Sequence, residues 1–356
     1  MCSFRLFSVQ KPKEEEVWST EVTKEDLENA VEDEFGVKYS KDWKRLLRAP
    51  EELRDKYIIR EGVKVIGDRA FFSCEYLKDV NIPNSVTSIG DASFMACDSL
   101  NSIDIPNSVT SIGSNAFYFC GSLTSINIPN SVTNIGNSAF GWCLSLTCID
   151  IPNRVTNIGI GVFECCISLR NINIHNSVLS IGNDAFWGCE SLRSINIPKS
   201  ITCIGNSAFS ECCSLTSIDI PNSVVSLEGN PFTRWSGVLH NESKAFIYED
   251  DVLFNKDKTI LIAYRSKETS YIIPKAVTCI GEYAFYECSS LISVDIPDSV
   301  TRIENGAFGG CGSLTSINIP DSVTSIGKGA FNNCDNLFPQ IKSDIIKRFG
   351  EEVFDR

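Results

Sequence analysis

The sequence is poor in histidine, methionine and positive charge. It has two His and two Met in 356 residues, and 32 Lys and Arg face 45 Asp and Glu, which gives a formal net charge of −13. Nucleic acids and anionic membranes favour basic surfaces, so we expect neither as a partner. No apolar run is long enough to span a bilayer, and membrane insertion is not expected.

The sequence also lacks the short motifs that carry common catalytic chemistry. It contains no CxxC, HExxH, GxSxG, GxxxxGK or GxGxxG pattern. Neither His175 nor His240 has a repeated Ser or acidic partner, and adjacent cysteines such as Cys165 and Cys166 point in different directions on an extended chain. We therefore predict a protein that is not an enzyme and that binds no cofactor or metal.

The first ten residues bear on cellular location. They include one Arg but no apolar core segment and no small-residue cleavage site of the kind that secretory signals have. This composition predicts a cytoplasmic chain.

The sixteen cysteines are numerous enough to suggest a disulfide framework. A framework pairs different positions of a small fold, whereas here ten cysteines recur at one phase of a 23-residue period. Equivalent positions on stacked coils have parallel Cα–Cβ vectors, which do not suit a disulfide. We expect a ladder of reduced, buried thiols at these positions: Cys74, Cys97, Cys120, Cys143, Cys166, Cys189, Cys212, Cys288, Cys311 and Cys334.

The same 23-residue period runs through most of the chain. Internal repetition of this kind predicts a single elongated, monomeric solenoid in which each unit contacts only its neighbours. Eleven units are found, and they begin at Ile59, Ile82, Ile105, Ile128, Ile151, Ile174, Ile197, Ile220, Ile273, Ile296 and Ile319.

Alternation within a unit predicts which side chains point inward. In the unit that ends at Asn127, Leu123 and Ile126 are apolar, while Ser125 and Asn127 alternate with Ile126 and Ile128, which indicates a short strand on the inner face. A second extended piece and a tight turn at a glycine follow, although Glu replaces that glycine in two of the eleven units.

The Ala-Phe-x-x-Cys segment is short and predicts one helical or 3-10 turn on the outer face. Its Phe is present in every unit and predicts a continuous core spine: Phe71, Phe94, Phe117, Phe140, Phe163, Phe186, Phe209, Phe232, Phe285, Phe308 and Phe331.

These residues resemble the BspA-type leucine-rich-repeat family, whose pattern IPxSVTxIGxxAFxxCxSLxxI is matched over about residues 59–334. The resemblance implies a right-handed α/β solenoid with strands on one face and helical or 3-10 turns on the other. Family members are often described as surface proteins with roles in adhesion, so the cell surface or secretion is the alternative to a cytoplasmic location.

Both ends of the array predict caps. Thr23-Lys-Glu-Asp26 has the pattern of a capping box, and it would open a helix that ends at Gly36. A second helix is predicted over 342–355. We divide the chain into a tail with capping helix and hairpin, a first array, a hairpin-bearing insertion, a second array and a capping helix: 1–58, 59–231, 232–272, 273–334 and 335–356.

The insertion predicts a hairpin over 252–264, turning around Asn255–Lys258, and residues 37–48 repeat its plan ahead of the first array. We expect a lateral flap, with 246–248 and 271–273 continuing the inner sheet. The flap would serve either as a binding element or as a cap-like element that resets the array.

Two kinds of surface are candidates for binding. The inner face carries two polar rows, which read either as a solvated ladder or as a dock for an extended ligand. The first row is Asp79, Ser102, Ser125, Cys148, Asn171, Ser194, Ser217, Ser293 and Ser316. The second is Asn81, Asp104, Asn127, Asp150, Asn173, Asn196, Asp219, Asp295 and Asn318.

Large side chains that vary from unit to unit follow the spine Phe. They would either cover the next coil or bind a protein partner: Phe72, Met95, Tyr118, Phe119, Trp142, Trp187 and Tyr286. The leading hypothesis is an adhesin-like protein–protein interaction scaffold, and the alternative is a purely structural or decoy-type repeat protein without a dedicated ligand.

Overall fold

The computed structural model describes residues 18–355, which wind into a solenoid built mostly of strands. In this range there are two α-helices, Lys24–Glu28 and Pro339–Phe349, and one 3-10 helix, Glu351–Phe354. Most strand pairs are parallel and join residues 23 apart along the chain, as Ser125 pairs with Ser102. Equivalent side chains of successive units are therefore direct neighbours.

The predicted inner strand of each unit forms one wall of the solenoid, which we call the inner sheet. Most of the Ile and Val side chains predicted to point inward are buried, and most of the alternate side chains are exposed, as the alternation predicts. The wall has three blocks. The first comprises Asp55–Ile58, Leu77–Asn81, Ser102–Asp104, Ser125–Asn127, Cys148–Asp150 and Asn171–Asn173; the second Ser217–Ile220 and Val238–Asn241; the third Ser270–Ile272, Ser293–Asp295 and Ser316–Ile317.

The second extended piece also forms strands, so the prediction of strands on one face only is wrong. Stacked coils give its backbone groups partners in neighbouring units; the Gly136 N–H, for example, donates to the Ile112 carbonyl at 2.9 Å. This second wall also has three blocks. They are Val31–Glu32, Lys38–Tyr39, Arg45–Arg48, Val65–Ile66, Ser88–Ile89, Ser111–Ile112 and Asn134–Ile135; Asn157–Ile158, Ser180–Ile181, Cys203–Ile204 and Ser226–Leu227; and Phe246–Glu249, Val252–Asn255, Ile260–Tyr264, Cys279–Ile280, Arg302–Ile303 and Ser325–Ile326.

The Ala-Phe-x-x-Cys segments form the third side, which we call the turn ridge. They contain turns and not the predicted helical turn. The Phe94 N–H donates to the Ala116 carbonyl of the next coil, and the Ala96 N–H donates to that of Tyr118, each over 2.8 Å. The N–H groups that alternate with these bond within their own coil, as the Cys97 N–H does to the Phe94 carbonyl. A helix would keep all these bonds within one coil, so pairing between coils prevents it.

The predicted spine and thiol ladder are both confirmed. All eleven spine Phe side chains are buried, and neighbours stack, as Phe94 and Phe117 do with ring centroids 5.2 Å apart and planes 1° from parallel. The ladder cysteines are free, and all but the half-buried Cys288 are buried. Burial raises the pKa of the Cys120 thiol to about 12.

The repeated glycine has a different role from the predicted tight turn. Gly136 does not have a positive φ, but a Cβ added there would lie 2.3 Å from the backbone nitrogen of Ser114 in the preceding coil. Close approach between coils therefore disfavours a side chain at Gly136, although Glu228 and Glu304 fill the equivalent position in two other coils.

The N-terminal capping box is present, but the helix behind it is short. The Asp26 N–H donates to the Thr23 hydroxyl oxygen at 3.1 Å, and the Thr23 N–H donates to the Asp26 carboxylate at 2.9 Å. The helix ends at Glu28, and Val31 lies in a strand, so the predicted helix to Gly36 is wrong. Hydrogen bonding of Val31 to the antiparallel strand that contains Tyr39 replaces the helical continuation.

At the other end, the helix Pro339–Phe349 begins and ends earlier than the predicted 342–355. It buries Ile345, and the 3-10 helix after it buries Val353. The Val353 carbonyl accepts a hydrogen bond from the Phe331 N–H at 2.8 Å. One coil earlier, the Phe308 N–H makes the equivalent bond to the Ala330 carbonyl of the following coil. The last segment thus occupies the place of a further coil.

The insertion hairpin is present, but it is not a lateral flap. Its strands pair antiparallel, Leu253 opposite Ala263 and Val252 opposite Tyr264. The first pair belongs to a hydrophobic core that extends from the N-terminal repeats, and the second pair belongs to a separate core of the C-terminal repeats. Both faces of the hairpin are buried, so it partitions the interior.

Two further expectations for the insertion have different outcomes. Ser270–Ile272 joins the inner sheet, as predicted. Phe246–Glu249 does not, because it pairs with Val252–Asn255 in the second wall. Val238–Asn241 continues the inner sheet instead, in register with Ser217–Ile220.

Candidate interaction surfaces

The ionisable side chains of residues 18–355 do not converge on a metal-binding cluster of three or more His, Cys, Asp or Glu. The two histidines are far apart in the fold: His175 is half-buried, and His240 is exposed. The Nδ1 of His240 lies 2.7 Å from an Asp219 carboxylate oxygen on the neighbouring strand. Both side chains of this pair are solvent-exposed, so they form a surface contact on the inner sheet.

The second polar row of the inner sheet is in register and exposed. Asp104 lies opposite Asn127, and Asp150 lies opposite Asn173. Every candidate residue of the row is exposed: Asp104, Asn127, Asp150, Asn173, Asn196, Asp219, Asp295 and Asn318. The row is uniform in chemistry over these coils, as the sequence suggests.

Two residues of the row depart from this uniformity, and sequence reasoning missed them. Ile58 pairs with Asn81 and Ile272 pairs with Asp295, so an isoleucine begins the row in each array. Their side chains are 65% and 74% exposed. The unit alignment already places both at the Asn/Asp position, so that alignment could have identified them.

The structure brings three of the seven candidates on the turn ridge into ring contact. The Phe119 ring lies 4.6 Å from the Tyr118 ring and 5.3 Å from the Trp142 ring, measured between centroids. We call these three residues the aromatic cluster. Phe119 is 40% exposed, and the other six candidates are half-buried.

Some ridge side chains cover the next coil, as one of the two interpretations holds. A Cβ added at Gly141 would meet the Tyr118 ring at 2.7 Å, and one added at Gly309 would meet the Tyr286 ring at 3.1 Å. Each tyrosine therefore lies over a glycine of the following coil. Packing against the following coil therefore covers at least one face of the Tyr118 ring and of the Tyr286 ring.

Phe119 and Trp142 occupy a backbone position with a special conformation. The residue two places after the spine Phe has a positive φ in all eleven units, and it is 61° at Phe119 and 60° at Trp142. Bulky side chains are uncommon at such φ values, which favour glycine. Gly188 and Gly310 fill the same position in other coils, so the turn itself does not require an aromatic side chain.

Trp187 belongs to a different arrangement. Its indole N–H donates to a Glu211 carboxylate oxygen at 3.2 Å, and Arg234 forms ion pairs with Glu211 and with Glu287. The Arg234 Nε lies 2.5 Å from the Glu287 carboxylate. This network connects the ridge across the insertion, and sequence reasoning missed it because Arg234 and Glu287 are distant along the chain.

Carboxylates lie beside the aromatic cluster. Glu164 approaches Tyr118, and burial together with the Glu164 charge raises the pKa of Tyr118 to about 12. Burial likewise raises the pKa of Glu164. On the other side, an Asp98 carboxylate oxygen lies 4.0 Å from where a Cβ on Gly121 would stand. Glu164 is thus the acidic group next to the cluster, and Asp98 lies near Gly121, two residues after Phe119 in the sequence.

The solenoid has relatives among solved structures. A leucine-rich cell surface protein of Faecalibacterium prausnitzii A2-165 is 30% identical, with a TM-score of 0.60 over 86% of this chain and 81% of its own. A leucine-rich repeat protein of Bacteroides ovatus ATCC 8483 is 28% identical, with a TM-score of 0.53 over 90% of this chain and 95% of its own. The comparison with curated proteins finds no match.

No helix among residues 18–355 is long and apolar enough to cross a membrane. The family model of the BspA-type leucine-rich repeat region matches residues 54–167, 156–241 and 263–356, which together make up well over half of the sequence. These matches coincide with the coils that carry the Phe spine and the thiol ladder, and this chain belongs to the BspA-type leucine-rich-repeat family.

Proposed function

We propose that this chain is a non-catalytic protein-interaction scaffold that works at the cell surface, with the aromatic cluster as its contact site. One observation carries the proposal: Phe119 and Trp142 pack together on the ridge, at a left-handed position where no other coil has an aromatic ring and two coils have glycine. A non-glycine residue at such a position costs about 1–3 kcal/mol, a cost shared by nine of the eleven coils, so the size and mutual contact of the two rings are what distinguish these coils. Retaining two bulky rings there is consistent with a use outside folding.

The surface location in the proposal is supported by the description of the Faecalibacterium prausnitzii relative as a cell surface protein. The expectation of a cytoplasmic chain has no comparable support. An adhesive role is the form of interaction that best suits a long, rigid solenoid with one distinctive patch. The uniform polar rows of the inner sheet contribute solubility in this proposal and do not define the partner.

The test is a cross-linking pull-down with a photoreactive amino acid at position 119 as bait, exposed to proteins from the native host and its surroundings. We expect a discrete cross-linked partner whose recovery is lost in the Trp142→Gly background. The control is Tyr76→Ala, which removes another ring that is 50% exposed, on the first coil. A partner recovered equally with Trp142→Gly, or no cross-linked partner at all, would favour the purely structural alternative.

A further inference from the structure

The coils that carry the aromatic cluster have an unusual charge composition. Residues 79–153 contain no Lys, Arg or His, and their only charged side chains are Asp79, Asp91, Asp98, Asp104 and Asp150. This stretch includes Tyr118, Phe119 and Trp142. More than three successive coils are therefore purely anionic, and the electrostatic potential at the cluster favours a cationic partner.

The carboxylates of Glu164, next to the cluster, and Asp98, near Gly121, have no internal cation within residues 18–355. Asp98 and Glu164 form no ion pair within the described residues, whereas Asp79 pairs with Lys56 at 2.7 Å, and Glu211 and Glu287 share Arg234. Opposite charges from a partner would therefore not have to displace an existing internal salt bridge at Asp98 or Glu164.

Within the protein itself, arginine stacks on aromatic rings in several places. The guanidinium carbons of Arg60, Arg54 and Arg265 lie over the rings of Trp43, Tyr76 and Trp235, at 4.3 Å, 4.5 Å and 4.4 Å from the centroids. Within the described residues, Phe119 and Trp142 have no such cation. Their faces form an acceptor for a cation–π contact that the chain does not fill by itself.

We infer that the partner presents an extended, arginine-rich protein segment, with one guanidinium stacked on Phe119 and Trp142 and neighbouring positive charges near Asp98 and Glu164. The inference rests on the proposed function. Arginine is favoured over lysine because its planar guanidinium stacks on aromatic faces and is more weakly hydrated. Asp98 and Glu164 lie three coils apart, roughly 14 Å at the strand spacing, a span that about four extended residues cover.

The test uses isothermal titration calorimetry at constant salt to compare two cationic peptides of equal charge, with an anionic peptide as the negative control. The probes are hexa-arginine, hexa-lysine and hexa-glutamate, titrated into the full-length chain. We expect hexa-arginine to bind about 2- to 5-fold more tightly than hexa-lysine, the upper bound that a cation–π contact at an exposed site sets. Hexa-glutamate should not bind.

Two variants locate the contact. Phe119→Gly/Trp142→Gly should abolish the arginine preference and leave weak charge-driven binding of both cationic peptides, while its circular dichroism and melting temperature stay close to those of the wild type. Asp98→Asn/Glu164→Gln should weaken both cationic peptides together. Tyr76→Ala, the matched control, should keep the full arginine preference.

Equal affinities for the two cationic peptides in the wild type would overturn the inference, as would an arginine preference that persists in Phe119→Gly/Trp142→Gly. The proposed function has a separate readout in the cross-linking experiment. If the host partner still depends on Trp142 while the peptides are not distinguished, the interaction site stands and the partner has another chemistry.

Discussion

The thiol of Cys143 donates a hydrogen bond of 3.2 Å to the carbonyl oxygen of Phe117, the spine residue of the preceding coil. The same bond recurs from Cys97 to Phe71 and from Cys334 to Phe308, each with a separation of 26 residues. The same carbonyl also accepts the Cys120 N–H at 3.1 Å, so the thiol gives this buried oxygen its second hydrogen bond. The thiol ladder and the Phe spine are thus one hydrogen-bonded and packed unit.

This coupling predicts an alkaline loss of stability. An unfolded thiol has a pKa near 9, whereas burial raises the pKa of Cys120 and of Cys212 to about 12. Because the folded pKa is the higher one, the contribution is fully present below pH 9 and is lost as the pH rises toward 12. We expect the melting temperature to change little up to pH 8 and to fall steeply from about pH 9 to about 10.5.

A Cys97→Ala/Cys120→Ala/Cys143→Ala variant controls for other groups that titrate at high pH. It should start from a lower melting temperature at pH 7 but lose less between pH 8 and pH 10.5 than the wild type does. Equal slopes for the two proteins would show that the ladder thiols do not cause the loss.

Thiol labelling should separate the ladder from the surface cysteines. Cys148 and Cys213 are exposed, whereas Cys120 and Cys143 are buried. With a thiol-reactive reagent at pH 7, followed by mass spectrometry, we expect rapid modification of the exposed pair and protection of the ladder until denaturant is added. Rapid labelling of Cys120 or Cys143 in the native state would contradict the structure.

Two substitutions in one coil distinguish the spine from the aromatic cluster. Phe140→Ala should lower the free energy of unfolding by about 3–5 kcal/mol because it opens a cavity in the stacked core. Trp142→Gly, two residues later, should change it by less than about 1.5 kcal/mol, because relief of the left-handed strain offsets the lost ring contacts. Urea unfolding measures both, and a spine-sized loss for Trp142→Gly would assign that ring to the core.

Two glycines at different places in the coil, Gly136 after a second strand and Gly312 after a ladder cysteine, offer contrasting substitutions. Gly136→Ala should destabilise the fold by about 1–3 kcal/mol, since its Cβ would lie 2.3 Å from the Ser114 backbone. Gly312→Ala should be neutral or slightly stabilising, because a Cβ there meets nothing within 4 Å. Thermal unfolding of the two variants provides the comparison, and equal effects would argue against close approach as the reason for glycine.

The candidate site could be predicted only in part. The sequence identifies Tyr118, Phe119 and Trp142 as large side chains at variable positions of the unit. The sequence does not indicate that Tyr118 lies over Gly141 whereas Phe119 stays exposed. That difference depends on the backbone of the turn, in which Phe119 has a positive φ and Tyr118 does not. Glu164 approaches Tyr118 from a neighbouring coil, and the sequence near Tyr118 has no signal for that contact.

What the sequence determined by itself is the set of positions that repeat: the 23-residue period, the inward Ile and Phe, the ladder of cysteines and the capping box at Thr23. Each follows from local periodicity or from a bond between residues three apart. Only the tertiary structure decided the rest, namely the second strand wall, the ridge of turns in place of helices and the hairpin between two cores. Those features are set by backbone groups that find partners about 23 residues away, in the next coil, and local propensity does not encode such partners.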